Sequence, residues 1–542
     1  MPMGTWRSFG ALLLGALALG AQELPSSSPA SRFGGSVDVR VVNVEVAVTD
    51  AKGERVRGLS ARDFVLEIDG KEVPIEYFAE MEGDRAGAPP PSPPSAEGGA
   101  PPPAAFPAPE GRSLLVFIDD LFAAAKQRND VLEALERDLK LLQPADRMAI
   151  AAFYGGRVDV LSGWTGDRRA LAAALQAARK RPALGNDVLA TRRSLTNESA
   201  LVEGALALSD PGGSAQDVYG SAAREADPVL PNQVGGIGDL RLDSRLNKLS
   251  RAAMATMRAL APPSGRRTLL LLSGGWPAPG IHLSLAVAAN RLGYTVYPVD
   301  VPGIDMAIPA NDASFQGPQR TDGFISSGWE RASQAGMEFL ARITGGRAIL
   351  NSARLSVLER VVEDTNSYYW LGFTPQWKGD DHHHRIAVRV RRPGLKVRSR
   401  GGFSDFSRAT EAALAAQGML LVGGGEQTRR LVIEAGPLRK KGRLLEMELT
   451  VAIPLADLTP IEQDGKWRVE ATLSTASMDK TGSFSDLAEI PLHLTLPKKP
   501  APDAVARYHT KMKLSPIQQR LVLTVRDPLG GTAVWGETEI RP

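Results

Sequence analysis

Leu114-Leu115-Val116-Phe117-Ile118-Asp119-Asp120 decides the fold class of this chain. Five apolar residues run without interruption into two carboxylates. The pattern recurs in part downstream, where Thr268-Leu269-Leu270-Leu271-Leu272 leads into Ser273-Gly274-Gly275, and Tyr294-Thr295-Val296-Tyr297-Pro298-Val299 leads into Asp300. Short continuous apolar runs separated by helix-like stretches are the signature of strands buried on both faces of a parallel sheet. Such sheets bind their ligands just beyond the carboxyl ends of the strands. Asp119, Asp120, Ser273 and Asp300 are therefore expected to gather at one rim, where a partner would dock.

The stretches between these runs read as helices. Val131, Leu132, Leu135, Leu139 and Leu142 share one face of a helix over 126–142. Met148–Tyr154 and Val158–Leu161 read as strands, and Asp167 as the N-cap of a helix bearing Leu171 and Leu175. Helical spacing of Leu246, Leu249, Ala253, Met257 and Leu260 marks a helix over 240–260. Further helices are expected over 282–292 and 329–344, the second stopped by Gly345-Gly346, and a last strand over Gly346–Leu350. The alternation predicts a helix-covered parallel sheet.

This unit has β-structure on either side. Val42, Val44, Val46 and Val48 alternate, Lys52-Gly53 makes a turn, and Asp69-Gly70 is a two-residue hairpin signal between Phe64-Val65-Leu66-Glu67-Ile68 and the strand bearing Val73, Ile75 and Tyr77. After Tyr368-Tyr369-Trp370, which reads as the start of a strand packing on that first unit, period two returns at Ile386, Val388 and Val390. Neither segment is large enough to bury a core alone. The two are expected to pair into one β-domain with the α/β unit inserted between them. From Leu431 onward, regular short strands with turn residues between them predict a β-sandwich.

The organisation expected is thus a signal peptide over 1–20, a β-domain over 36–80 and 366–403, a Pro/Ala/Gly linker over 86–110, an α/β domain over 111–365 with a flexible insertion at 209–239, and a β-sandwich over 425–542. Ten prolines between Pro89 and Pro109 exclude a packed element there. Arg7, the apolar stretch Ala11–Leu19 and the small residues at Ala18 and Gly20 read as an export signal, cleaved near Gly20 or Ala21. That stretch is too short to span a bilayer, which takes about 18 or more apolar residues. A soluble exported product, periplasmic or extracellular, is expected.

Composition narrows the function classes. Across 542 residues, 43% are hydrophobic and 23% charged, and 64 basic residues nearly balance 61 acidic ones for a net charge of +3. No compact basic block points to nucleic acid. The chain has no cysteine, which excludes disulfides, thiolate metal sites and a lipidated cysteine. Ser273-Gly274-Gly275 lacks the glycine two positions before the serine that a nucleophile elbow needs, because Leu271 stands there. His382-His383-His384 reads as a solvent-facing hairpin tip, since neighbouring strand residues point to opposite faces. Its remaining histidines, His282, His493 and His509, lie far apart, so nucleophilic or zinc catalysis has little support.

Four stretches, taken in order, carry a family resemblance: Val44–Asp50 with Leu59–Phe64 and Glu67–Lys71; Val116–Leu121; Leu340–Arg347; and Tyr368–Pro375 followed by Arg392–Val397. Through them the central region resembles a von Willebrand factor type A (VWA) domain, and the whole chain is similar to secreted VWA-containing proteins common in Acidobacteria. The resemblance covers residues 37–403. It implies a doubly wound, Rossmann-like α/β fold whose usual business is binding other proteins, here a protein or cell-surface component. It also implies a Mg²⁺ site built from Asp-x-Ser-x-Ser after the first strand, a threonine, and an aspartate after the fourth strand. This chain departs from that pattern. With Asp119 as first ligand the serine positions hold Leu121 and Ala123; with Asp120 they hold Phe122 and Ala124. Ser273 stands where the later aspartate belongs, and Thr191 and Thr196 are weak matches for the threonine. Asp119 alone is retained as a metal ligand, with Asp300 or Asp305 as substitute carboxylates. The expected function is non-catalytic protein binding with an eroded adhesion site and no required cofactor. Its alternative is a secreted metal-assisted hydrolase using acids at the same edge.

Overall fold

A computed structural model of the chain describes residues 41–82, 85–86, 111–154, 156–185, 237–260, 262–263, 265–274, 279–301, 321–350, 356–422, 431–480, 484–485, 487–529 and 533–542. The expected signal peptide, nearly all of the Pro/Ala/Gly linker, Thr191, Thr196 and Asp305 lie outside them. Among the described residues the protein is a strand-rich mixed α/β molecule with seven α-helices and five sheets.

The chain enters through β1 (Val42–Thr49), β2 (Phe64–Ile68), β3 (Lys71–Val73), β4 (Tyr77–Glu82) and β5 (Arg85–Ala86). Asp69 and Gly70 join β2 to β3 with φ of 51° and 78°. Two successive positive φ values are what a two-residue turn matching strand twist requires, and Asp-Gly tolerates them.

The central unit follows: β6 (Arg112–Asp119), α1 (Ala125–Asp138), β7 (Arg147–Phe153), β8 (Val158–Thr165), α2 (Arg168–Arg179), α3 (Ile237–Ala259), β9 (Arg266–Ser273), α4 (Pro279–Leu292), β10 (Tyr294–Asp300), α5 (Thr321–Thr344) and α6 (Val357–Thr365). The sheet order is β10-β9-β6-β7-β8. β6, β7, β9 and β10 run parallel, whereas β8 pairs antiparallel to β7 with register shifts near Ile150. The expected wholly parallel sheet is corrected in this respect: a short link after Phe153 returns the chain beside β7, and a parallel neighbour would need a long crossover.

β6 shows why its sequence is apolar throughout. Leu115 and Phe117 pack on one face with α3, α4 and α5, while Leu114, Val116 and Ile118 pack on the other with α1, α2 and α6. All eight residues of β6 are buried. The Asp167 carboxylate accepts a 2.8 Å hydrogen bond from the Arg169 amide, capping α2. α5 begins earlier than the 329–344 spacing implies, and the expected strand over 346–350 reduces to one bridge, Val299 to Ile349. Residues 237–239 of the expected flexible insertion are the first turn of α3.

Beyond the central unit come β11 (Ser367–Phe373), β12 (His382–Val390), β13 (Lys396–Ser399) and β14 (Gly402–Asp405). β11 pairs antiparallel with both β1 and β4, β13 pairs with β1, and β12 pairs with β2. Two sheets result, β13-β1-β11-β4-β5 and β14-β12-β2-β3, and they share a core of Val42, Val44, Val46, Phe64, Leu66, Tyr369, Leu371 and Phe403. The strands before residue 111 are therefore hydrogen-bonded to those after residue 366, with the central unit between them in the chain.

α7 (Arg408–Val422) comes next, then β15 (Val432–Ala435), β16 (Arg439–Lys441), β17 (Leu444–Pro454), β18 (Ile461–Gln463), β19 (Lys466–Asp479), β20 (Ala488–Leu496), β21 (Val505–Leu514), β22 (Gln519–Arg526) and β23 (Ala533–Ile540). They form two antiparallel sheets around β17 and β19 with one common core, including Val451, Leu473, Leu521 and Leu523. On the opposite face of β19 and β22, Ala476, Met478 and Val522 join the apolar cluster that holds Leu420 of α7 and Leu249 of α3. α7 lies where the C-terminal sheets meet the central unit.

Candidate functional site at the carboxyl edge of the parallel sheet

Parallel register brings the strand ends together. Ile118 lies opposite Leu272, so Asp119 follows beside Ser273, and Ser273 lies opposite Asp300. The Ser273 hydroxyl donates a 2.5 Å hydrogen bond to Asp119 Oδ2. Asp119 Oδ1 accepts from the amides of Leu121 at 2.9 Å and Phe122 at 3.0 Å, which bends the chain sharply after β6. Asp300 is half-buried, and its amide donates to the Ile349 carbonyl at 2.9 Å.

Asp120 points into a different set of partners. Its Oδ1 accepts from Arg128 Nη1 at 2.6 Å and its Oδ2 from Arg181 Nε at 2.8 Å. Arg128 sits on α1, fully buried beside Val131 and Leu132, and also donates to the carbonyls of Arg179, Arg181 and Pro182. Burial pushes the Asp120 carboxyl up, and the Arg181 and Arg128 guanidiniums pull against it. A buried carboxylate held by two cations is the arrangement burial demands of a charge.

Asp119, Asp120 and Ser273 each have 0% exposure. The segment after α2 packs against Asp120 and the loop that follows it: Leu184 donates to the Asp120 carbonyl at 2.8 Å and Gly185 to the Ala123 carbonyl at 3.1 Å. A Cβ on Gly185 would stand 2.5 Å from the Ala123 carbonyl, so only glycine permits this approach. Asp119 and Asp120 do not cap the following helix, whose N-cap is Ala124.

A Mg²⁺ ion wants an octahedron of hard oxygens and keeps several waters. Around Asp119 the described partners are two backbone amides and a hydroxyl that is already donating. Leu121, Phe122, Ala123 and Ala124 line the loop and are all buried. Among the described residues this donor set does not supply the oxygens that such an ion needs. Ser273 is the neighbour that decides this chemistry. Two carboxylates side by side would call for a cation, whereas serine satisfies Asp119 with its own proton.

Sequence reasoning did not reach Arg128 and Arg181. Arg128 left a signal, an arginine at helical spacing from the stripe of Val131, Leu132 and Leu135. Arg181 left none, lying 61 residues from Asp120. His382 and His384 share one face of β12 and meet Asp69, in the turn that follows the neighbouring strand β2, His384 Nδ1 lying 2.7 Å from Asp69 Oδ2. Treating the three histidines as one consecutive run obscured that pairing. Among the described residues no helix is long and apolar enough to cross a membrane.

No family model matches this chain, and no curated protein matches it either. Among solved structures it is similar to the SpRpn10 VWA domain, at 9% identity and a TM-score of 0.18, over 35% of this chain and 74% of that one. The pilus adhesin SpaC of Lactobacillus rhamnosus GG matches at 8% identity and a TM-score of 0.23, over 79% of this chain and 57% of its own. A β-glucuronidase of Bacteroides uniformis matches at 9% identity and a TM-score of 0.14, over 32% of this chain and 18% of its own. Scores this low carry no argument about activity; they make this chain a weak structural neighbour of a VWA domain and of an adhesin.

Proposed function

We propose that this is an exported, non-catalytic binding protein whose central unit is a doubly wound, VWA-like module with a degenerate adhesion site, set into a β-domain and followed by a β-sandwich. It docks a protein or cell-surface component over the carboxyl edge of the parallel sheet, and no divalent ion takes part at Asp119. One observation carries the reading: two of the rim's three acids, Asp119 and Asp120, are internal. Asp119 and Asp120 each accept from donors of the surrounding strand, helix and loops and have no exposure. A catalytic acid or base needs reach to a substrate proton, and carboxylates fixed in this way serve as framework instead. They fix the loop after β6 to the end of β9, to α1 and to the segment after α2, and half-buried Asp300 is the rim acid that reaches the surface.

Crosslinking in the native cell envelope tests this. A specific partner captured by the wild type and lost in Asp300→Ala supports docking at this edge. Hydrolytic turnover on exported-protein substrates, abolished in a folded Asp119→Asn variant, sinks the binding reading in favour of a hydrolase.

A further inference from the structure

We propose that Asp69, His382 and His384 form a surface site for a divalent transition-metal ion of the Zn²⁺ class, at the tip of the β2–β3 hairpin and remote in sequence from the sheet edge. One ligand atom from each of the three residues lies within 4.8 Å of the others. Strand alternation sets the pair: His382 and His384 fall on one face of β12, while His383 turns away and places its Nδ1 3.0 Å from Ser404 Oγ.

The scaffold under the three ligands is fixed by independent contacts. Asp69 holds the first position of the turn; its amide donates to the Arg385 carbonyl at 3.0 Å and its Oδ1 accepts from the Arg385 amide at 2.8 Å. Those bonds occupy Oδ1 and leave Oδ2 facing the imidazole of His384 at 2.7 Å. The His384 ring stacks on Phe403, with centroids 4.9 Å apart and planes at 24°, and Phe403 is buried in the core between the two sheets. His382 stands edge-on to His384 at 4.9 Å, and its amide donates to Asp380 Oδ1 at 3.1 Å. Ligands backed by packing and outer hydrogen bonds are what a specific site needs.

The donor set selects the ion. Two imidazoles and one carboxylate suit Zn²⁺, with bonds of about 2.0–2.1 Å and a fourth position open to water or an incoming ligand. Tetrahedral bonds of that length place ligand atoms roughly 3.3 Å apart, so the pair now at 2.7 Å would open by about 0.6 Å as the ion replaced the shared proton. His382 and Asp69 are exposed, so an ion reaches them from solvent.

The test is calorimetric titration of the tag-free full chain with Zn²⁺ alone, paired with Co²⁺ titration read by visible absorption. Saturable one-to-one binding and tetrahedral Co²⁺ bands are expected. His382→Ala, an exposed position, is expected to weaken binding at least as much as loss of an outer-shell partner does, about 10- to 100-fold. Asp69→Asn, which keeps the turn preference, should weaken it as well, whereas His383→Ala on the opposite face should change it less than about twofold. No saturable binding, equal binding by wild type and His382→Ala, or a loss in His383→Ala matching that in His382→Ala would each overturn the site.

Discussion

Ser273 donates its hydroxyl proton to Asp119 across the boundary between two neighbouring parallel strands, at 2.5 Å and out of contact with solvent. The bond ties the ends of β6 and β9 and supplies a proton where a second carboxylate would have left charge against charge. Ser273→Ala removes a donor from a buried carboxylate and is expected to cost about 1.5–3 kcal/mol, read as a lower midpoint in urea denaturation at neutral pH. Ser273→Asp should cost more than Ser273→Ala, because like charges at this distance oppose one another. An equal or smaller loss for the aspartate would mean that the pair is not in direct contact.

The Asp120 cluster makes a separate prediction. Asp120→Ala leaves Arg128 buried without its carboxylate and is expected to destabilise by about 3–5 kcal/mol. Arg181 should matter less, because it reaches the surface and also pairs with Asp159 at 2.8 Å. Replacing charge and counter-charge together, as Asp120→Leu with Arg128→Met, should recover part of that loss, since the cost lies in an orphaned charge rather than in a missing attraction. A double-mutant cycle measures the coupling; additive effects would contradict it.

How much of this was legible in the letters depends on range. The parity of β6, the Asp69-Gly70 turn, the Asp167 cap and the meeting of Asp119, Ser273 and Asp300 all follow from local pattern plus the rule that parallel strands end at one edge. The direction of β8 did not, because a short strand gives no sign of which neighbour it joins. α7 escaped as well: an alanine-rich helix packed between two layers lacks the one-sided stripe that marks a surface helix. The burial of Asp120 was invisible because the residues packed on it, Arg181 to Gly185, come from a segment with no periodic pattern of its own.

Gly346 sets a steric limit. A Cβ there would sit 1.9 Å from the Val296 carbonyl oxygen, which is backbone and cannot rotate away. Gly346→Ala therefore forces apart α5's exit and β10, at a cost of about 1–3 kcal/mol or more. Gly394→Ala is a useful contrast: its Cβ meets nothing within 4 Å, so any loss there reports the positive φ of 80° alone. Thermal denaturation of the two variants should rank Gly346→Ala the less stable.

Asp364 predicts a pH dependence. It accepts from Arg398 at 2.5 and 2.6 Å, from Arg55 at 2.7 Å and from the Tyr297 hydroxyl at 2.7 Å, with Arg347 at 3.8 Å. Burial alone would raise this carboxyl, but Arg398 first, then Tyr297 and Arg55, hold it below the usual carboxylate range. The unfolded chain, titrating near about 3.9, therefore takes up the proton first as pH falls. The stabilisation is fully present above that unfolded value and is lost as pH drops toward and through the folded one. Asp364→Asn should be less stable at neutral pH, with a shallower decline as pH falls below about 5 in urea midpoints. An unchanged slope would assign the acid sensitivity to other groups.

Leu420 tests the connection between the C-terminal sheets and the central unit. It is fully buried on α7, in one cluster with Leu249 of α3 and with Met478 and Val522 of the C-terminal sheets, and its carbonyl accepts from Arg520 Nη1 at 2.7 Å. Leu420→Ala is expected to cost about 2–5 kcal/mol through lost burial and an incompletely closed cavity. The loss falls on the contact between two bodies that each keep a core of their own, Val451 with Leu473 on one side and Val116 with Val131 on the other. Calorimetry should therefore show a single unfolding transition in the wild type separate into two in the variant. A single transition that only moves to lower temperature would mean that the cores remain coupled without α7.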